Sequence, residues 1–174
     1  MIKLAVFFAD GAEELEAITP VDILRRCEGV TVDTVSVCGK SIKTSHGVVI
    51  TPDKMIDEVD LSAYDGYIVP GGMPGATNIA ESEAVSAIKK AEKDNKLIAA
   101  ICASPAVVLA SNGIKKGKNI TCYPAPAFIE MLSGYNYTAE DVTVDKNLIT
   151  ANGPRAAFAF AKAICEYFNL KPKF

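Results

Sequence analysis

Apolar residues recur along this chain in two patterns that alternate with each other. KLAVFFA (3–9) and LIAAIC (97–102) are short continuous apolar runs, as expected of strands covered on both faces. VTVDTVSV (30–37) alternates and is valine-rich, and YDGYIVPGG (64–72) is an apolar strand closing on Pro70-Gly71-Gly72. HGVVITPD (46–53) reads as a shorter strand ended by Pro52, ITCYP (120–124) as another, and VTVDKNLITA (142–151) as a hairpin turning at Asp145-Lys146. Between them lie helical stretches: one from the Asp10-Gly11 turn to about Cys27, then ESEAVSAIKKAEKDN (81–95) with Val85, Ile88 and Ala91 on one face. SPAVVLAS (104–111), PAFIEMLSG (126–134, ended by Gly134) and AAFAFAKAICEYF (156–168) complete the helical set.

Strands that alternate with helices and lack a polar face imply a mostly parallel sheet buried between two helical layers. The expected architecture is a three-layer α/β/α sandwich forming one domain over residues 1–174, with no repeats and no low-complexity linker. In such sheets ligands gather beyond the carboxyl ends of the strands. That edge should bring together Asp10–Glu16, Pro70–Gly75, Cys102–Pro105, Tyr123–Ala125 and Asn152–Arg155.

Composition narrows the function. The formal net charge is −3 and no basic block stands out, so an electrostatic nucleic-acid footprint is not expected. With a single histidine, His46, one chain has no multi-histidine metal site, and no metal or cofactor is expected. Five cysteines without a CxxC pair fit neither a disulfide framework nor zinc. With no secretory signal pattern and no bilayer-length apolar run, a reducing cytoplasm and no membrane association are the expectation.

The candidate chemistry centres on Cys102. It ends a strand and precedes a helix that Ser104-Pro105 can open, a strand-to-helix elbow lined by Ala99, Ala100, Ala103 and Ser104. A helix start offers unpaired N–H groups and partial positive charge, which favour thiolate over thiol. Against this, most free cysteines are small buried hydrophobes, and position alone leaves the two readings balanced. Cys27, Cys38 and Cys165 sit inside helix or strand patterns and read as core, while Cys122 is core, dimer surface or a resolving partner for Cys102. Of the glutamates in GAEELEA, Glu16 is the most apolar-embedded. Pro20 is expected to break or kink the run, with Thr19 capping a restarted helix and one carboxylate held inward. Beside a thiolate, such a carboxyl should have a raised pKa and act as proton donor.

GAEELEA, PVDILRR, VPGG followed by GATN, AAICASP, TCYP and NGP stand in the order found in the DJ-1/ThiJ/PfpI superfamily. Over residues 1–169 the chain resembles the branch that contains the parkinsonism-linked protein and its bacterial relatives. The resemblance implies a flavodoxin-like fold, a homodimer, Cys102 as reactive cysteine and Glu16 as its hydrogen-bonding partner. It further implies that the amides of Gly72 and Ala103 face the reacting oxygen, and that Arg26 lies near the site at a dimer interface. Three positions depart from the pattern. Tyr123 stands where some members have histidine, His46 where an arginine is found, and the usual GPGT loop reads Gly153-Pro154-Arg155-Ala156. His46 at that position is solvated, part of the core or reaches a partner subunit's site, and Arg155 either narrows the pocket or adds charge.

The activity implied is that of a glyoxalase III or protein deglycase, acting without glutathione on small 2-oxoaldehydes such as methylglyoxal and glyoxal or on their protein adducts. The small glycine and alanine neighbours suit a small aldehyde. The alternative is a peroxide-sensing stress protein or chaperone that works through oxidation of Cys102 to sulfinate. An intracellular cysteine peptidase ranks behind both, because no histidine lies beside the cysteine.

Overall fold

The computed structural model describes residues 1–174. A seven-stranded sheet runs in the order β10-β11-β7-β6-β1-β2-β5. Its strands are β1 (Ile2–Phe8), β2 (Val30–Ser36), β5 (Lys54–Met55), β6 (Gly66–Val69), β7 (Leu97–Ile101), β10 (Val142–Asp145) and β11 (Leu148–Ala151). Every neighbouring pair is parallel except β10 with β11. Two small pairs lie outside it: β3 (Ile42–Lys43) with β4 (Val49–Ile50), and β8 (Asn119–Ile120) with β9 (Asn136–Tyr137).

The layers follow from the two-residue period of the strands. Leu4, Val6 and Phe8 of β1, with Leu97, Ala99 and Ile101 of β7, face one core. That core is closed by α1 (Glu14–Arg25) and α5 (Ala157–Tyr167), which pack through Ala17, Val21, Leu24, Phe160 and Ile164. Ala5, Phe7 and Ala9, with Ile98 and Ala100, face the other core under α2 (Gly75–Ala80) and α3 (Ala84–Lys93). The sheet is therefore buried on both faces. The three-layer sandwich expected from the sequence is present, and α4 (Pro126–Met131) completes the helices.

Several elements differ from the sequence expectation, each for a local reason. The strand anticipated over 46–53 is split: Val49–Ile50 turns back on Ile42–Lys43, and the main sheet is joined only beyond Pro52, at Lys54. Pro52 has no N–H for a ladder, and the Asp53 carboxylate is drawn to Thr34, accepting from its amide (2.9 Å) and hydroxyl (2.8 Å). ITCYP contributes only Ile120 to a strand, because Thr121 N–H donates to the Thr150 hydroxyl and Tyr123 N–H to the Cys102 carbonyl. The hairpin turns one residue later than expected, on Lys146-Asn147, with Lys146 at a positive φ of 57°. GATN opens a short helix that periodicity alone does not reveal, and SPAVVLAS forms a wide π-turn over Pro105–Leu109. Pro20 does not end α1, which runs unbroken from Glu14 to Arg25. Nor is Cys38 core, since it follows β2 and is exposed.

Candidate active site

Because β1, β6, β7 and β11 are adjacent and parallel, the loops at their carboxyl ends meet at one edge. The loop after β1 leads into α1, that after β6 is Pro70–Gly71–Gly72, and β7 ends directly in Cys102.

Cys102 has φ 65°, the left-handed region that a side chain rarely adopts. Its backbone groups are both satisfied: the N–H donates to Ala151 O (2.9 Å) and the carbonyl accepts from Tyr123 N (2.8 Å). Two flanking segments thus hold the strained turn. The side chain is partly exposed, and the backbone N–H groups of Gly72 and Ala103 point at the sulfur.

Glu16 lies in the first turn of α1 and is wholly buried. Its orientation is built from the backbone of two elements. Glu13 caps the helix by accepting from Glu16 N–H (3.0 Å), and Gly71 N–H donates to Glu16 Oε2 (2.8 Å). Gly71 admits no side chain here. A Cβ would lie 2.6 Å from both Cys102 Cβ and Glu16 Oε2. The remaining oxygen, Oε1, is buried without a hydrogen-bond partner. The carboxyl and thiol interact closely enough to perturb each other.

Both groups resist ionisation. Burial, with the neighbouring charges of Glu13 and Glu14, pushes Glu16 up to about 7 against the lowering pull of Cys102 and Gly71. Burial, then the Glu16 carboxylate, pushes the Cys102 thiol up to about 12, outweighing the Gly72 and Ala103 amides. The expectation of a standing thiolate therefore fails while Glu16 is ionised. Protonation of Glu16 removes the second cause of the shift and leaves burial, the largest, in place.

The other anticipated residues are spread more widely. Tyr123, Pro154 and Arg155 line a cavity of about 510 Å³ together with Asn152 and Gly153. It lies beside the elbow, since Tyr123 is bonded to the Cys102 backbone. His46 is exposed at the start of α1, with Nδ1 3.0 Å from Glu14 Oε2. That pairing raises His46, and for Glu14 such hydrogen bonds outweigh burial and hold it near 2. His46, Glu13 and Glu14 offer ligand atoms within 4.8 Å of one another, but Glu14 already accepts from Thr44, Ser45 and His46. Arg26 pairs with Asp22 (3.2 Å) on the outer face of α1. Cys122 is buried among Ala106, Ile120 and Leu132, so the core reading holds for it. Sequence reasoning passed over Gly71 and Glu13. The Pro-Gly-Gly corner pointed to close backbone approach, but not to which amide bonds the carboxyl.

The chain matches the profile of the DJ-1/PfpI family over residues 2–167. It is 40% identical to the Parkinson disease protein 7 homolog of Danio rerio, covering 94% of this chain and 88% of that protein. To Protein DJ-1 homolog B of Arabidopsis thaliana it is 39% identical, spanning 98% of this chain but only 39% of the longer relative. It is 35% identical to the glutathione-independent glyoxalase DJR-1.2 of Caenorhabditis elegans, over 90% of this chain and 83% of that one. The solved structure of oxidized Toxoplasma gondii DJ-1 superposes with a TM-score of 0.88 at 36% identity, covering 97% of this chain and 91% of that chain.

A prediction follows from the raised carboxyl. A glutamate whose folded pKa exceeds its unfolded value stabilises the fold below the unfolded pKa and loses that contribution as pH rises through the folded one. For Glu16 the window runs from 4.5 to about 7. Glu16→Gln is expected to raise unfolding free energy at pH 8 by an amount on the order of 3 kcal/mol, and by little at pH 4.5. Urea unfolding at the two pH values measures it, and an equal effect at both would show that Glu16 is not strained by burial. With its fold, elbow cysteine and family profile in agreement, the chain belongs to the DJ-1/PfpI family.

Proposed function

We propose that the chain is a glutathione-independent glyoxalase acting on small 2-oxoaldehydes, with Cys102 as nucleophile and Glu16 as proton carrier. The observation that carries this reading is the Cys102–Glu16 pair, perched on the elbow under two backbone amides. A relative named as a glutathione-independent glyoxalase supports it.

The Cys102 sulfur adds to the aldehyde carbon while its proton passes to Glu16, so no net charge is created in the buried pair. The former carbonyl oxygen accepts from the Gly72 and Ala103 amides, which act as an oxyanion hole. Glu16, returned to carboxylate by giving that proton to the oxygen, removes the hydrogen from the former aldehyde carbon and delivers it to the neighbouring carbon. As the hydroxyl proton on the first carbon's oxygen passes to the oxygen of the second, the hemithioacetal becomes the thioester of a 2-hydroxy acid. Water releases the acid and restores the thiol, so the sum is 2-oxoaldehyde plus water. Protein-bound adducts of the same aldehydes are a further substrate class for the same addition. Tyr123 and Arg155 border the adjoining cavity and set what the substrate carries beyond its reacting carbons.

A second reading rests on the partial exposure of the same sulfur. A hydroperoxide reaching Cys102 converts it through sulfenic to sulfinic acid, and protonated Glu16 donates to the new oxygens. A peptidase remains the weakest reading, because His46 is paired with Glu14 and no imidazole joins the pair.

We further infer a homodimer through the outer face of α1. Leu15, Ile18, Val48, Phe158 and Phe174 leave apolar surface there around Arg26. No helix is long and apolar enough to cross a membrane, and a cytoplasmic site is our reading.

Purified protein should convert methylglyoxal to lactate without glutathione. Cys102→Ala should fall to background and Glu16→Gln should lose about a hundredfold or more in kcat/KM. Because Glu16 serves as base only when ionised, kcat/KM should climb with pH through about 7; a flat profile with full Glu16→Gln activity would remove its role. Under mild peroxide, intact-mass and peptide analysis should find two oxygens on Cys102 before the exposed Cys38 reacts, and the reverse order would count against sensing. Sedimentation should give a dimer that Ile18→Lys converts to monomer, and a wild-type monomer at micromolar concentration would reject the interface.

A further inference from the structure

Two cysteines outside the active site meet in the core. Cys27 follows the C-terminal end of α1 and Cys165 lies near the end of α5. Their sulfurs are 3.9 Å apart, although the residues are separated by 138 positions in the chain. No other contact accounts for the pairing. Cys27 Sγ makes only a long approach to the Ile23 carbonyl (3.6 Å), and the hydrocarbon around both comes from α1, α5 and the sheet.

We propose that Cys27 and Cys165 are a dithiol site that a hydroperoxide converts to an intramolecular disulfide, tying α1 to α5. The proposal does not depend on the glyoxalase reading, because neither sulfur is part of the Cys102 site.

The covalent step needs the sulfurs to draw together by about 2 Å, to a bond of about 2.05 Å. Cys27 is the sulfur that a peroxide reaches first. It is 8% exposed against 2% for Cys165. Its cover is the C-terminal segment, held by an isolated bridge to Pro172, a hydrogen bond from Lys173 N–H to the Arg26 carbonyl (3.1 Å) and the Lys173–Glu28 ion pair. Cys165 is deeper, and burial followed by the nearby Cys27 pushes its thiol up to about 12, so it is the poorer first attacker. Cys27 sulfur attacks one peroxide oxygen, the O–O bond breaks, water leaves and a sulfenic acid remains. Cys165 sulfur then displaces hydroxide from that sulfenic acid, and the hydroxide departs as a second water with the Cys165 proton. Two thiols lose two protons and two electrons, and one hydrogen peroxide becomes two waters.

The bond closes a loop of well over a hundred residues, where restriction of the unfolded chain is greatest. It also clamps the two helices that cover one face of the sheet. Cys102 and Glu16 lie at the opposite end of α1 from Cys27, so the two thiol sites are chemically separate.

The test uses the full chain treated with a small excess of hydrogen peroxide, followed by alkylation of free thiols under denaturing conditions and non-reducing digestion. The expected result is a peptide pair joining Cys27 to Cys165, two hydrogens lighter than its parts, in both wild type and Cys102→Ala. The thermal midpoint should rise by about 10 °C, and dithiothreitol should reverse both changes. Cys165→Ala should lose the cross-link and the rise. Recovery of Cys27 and Cys165 fully alkylated, while Cys102 or Cys38 has oxidised, would overturn the proposal. So would oxygen addition to Cys27 with no bond to Cys165. The wild-type peptide map decides the matter even where the alanine variant folds poorly.

Discussion

A carboxyl and a thiol packed together in a water-poor corner are the constraint on which the site depends. Burial opposes ionisation of both; the carboxylate also opposes that of the thiol, while the thiol's hydrogen bond favours the carboxylate. Two charges there would repel in a medium that screens them poorly, so the pair is most stable with a single charge or none. What remains cheap is movement of a proton between sulfur and oxygen, which relocates a charge without creating one. The Gly72 and Ala103 amides act on the sulfur side of that exchange and the Gly71 amide on the oxygen side. The backbone thus decides where the charge can rest.

The fold supplies those amides because parallel strands finish at one edge. β6 delivers Gly71 and Gly72, β7 delivers Cys102, and α1 returns over them with Glu16. Close approach is the condition at every point. Gly71 touches both reactive side chains, and Gly72, at φ 84°, would drive a Cβ to 2.5 Å from the Glu13 amide and the Gly11 carbonyl. A buried glutamate with one unpartnered oxygen is a liability for the fold. Pro20 adds to it, since it lacks the N–H that would bond the Glu16 carbonyl in a regular helix. The two apolar cores make such local strain tolerable.

Periodicity made the layers legible. β1 and β7 read as buried strands because both of their faces are covered, and α3 and α5 read as helices because one stripe of each is apolar. The short elements were harder. β3, β4, β8 and β9 have two residues each, too few to show a hydrophobic period. In the site, the elbow was visible from small residues around a cysteine. The sign of the sulfur's shift was not, since it depends on burial and on the distance to Glu16, which are three-dimensional quantities. The Cys27–Cys165 contact lay hidden for the same reason. Each cysteine looked like core in its own helix, and nothing along the chain relates the two.

The absence of an imidazole beside Cys102 bears on which electrophile the pair can use. A cysteine–histidine dyad separates charge before substrate arrives, and a preformed thiolate can attack an unreactive amide. Here burial and Glu16 push the thiol up to about 12, so in the proposed mechanism attack is coupled to proton transfer onto Glu16. That suffices for an aldehyde, whose carbonyl carbon is strongly electrophilic and which expels nothing on addition. A peptide bond demands attack on a resonance-stabilised carbonyl, for which a thiol pushed up to about 12 with no imidazole beside it is a poor nucleophile. Subsequent hydrogen transfer between adjacent carbons asks for one base, close to both, that is ionised near neutral pH, and a carboxyl near 7 meets that requirement. The weakly ionised sulfur and the carboxyl near 7 therefore favour addition to an aldehyde and isomerisation over attack on an amide.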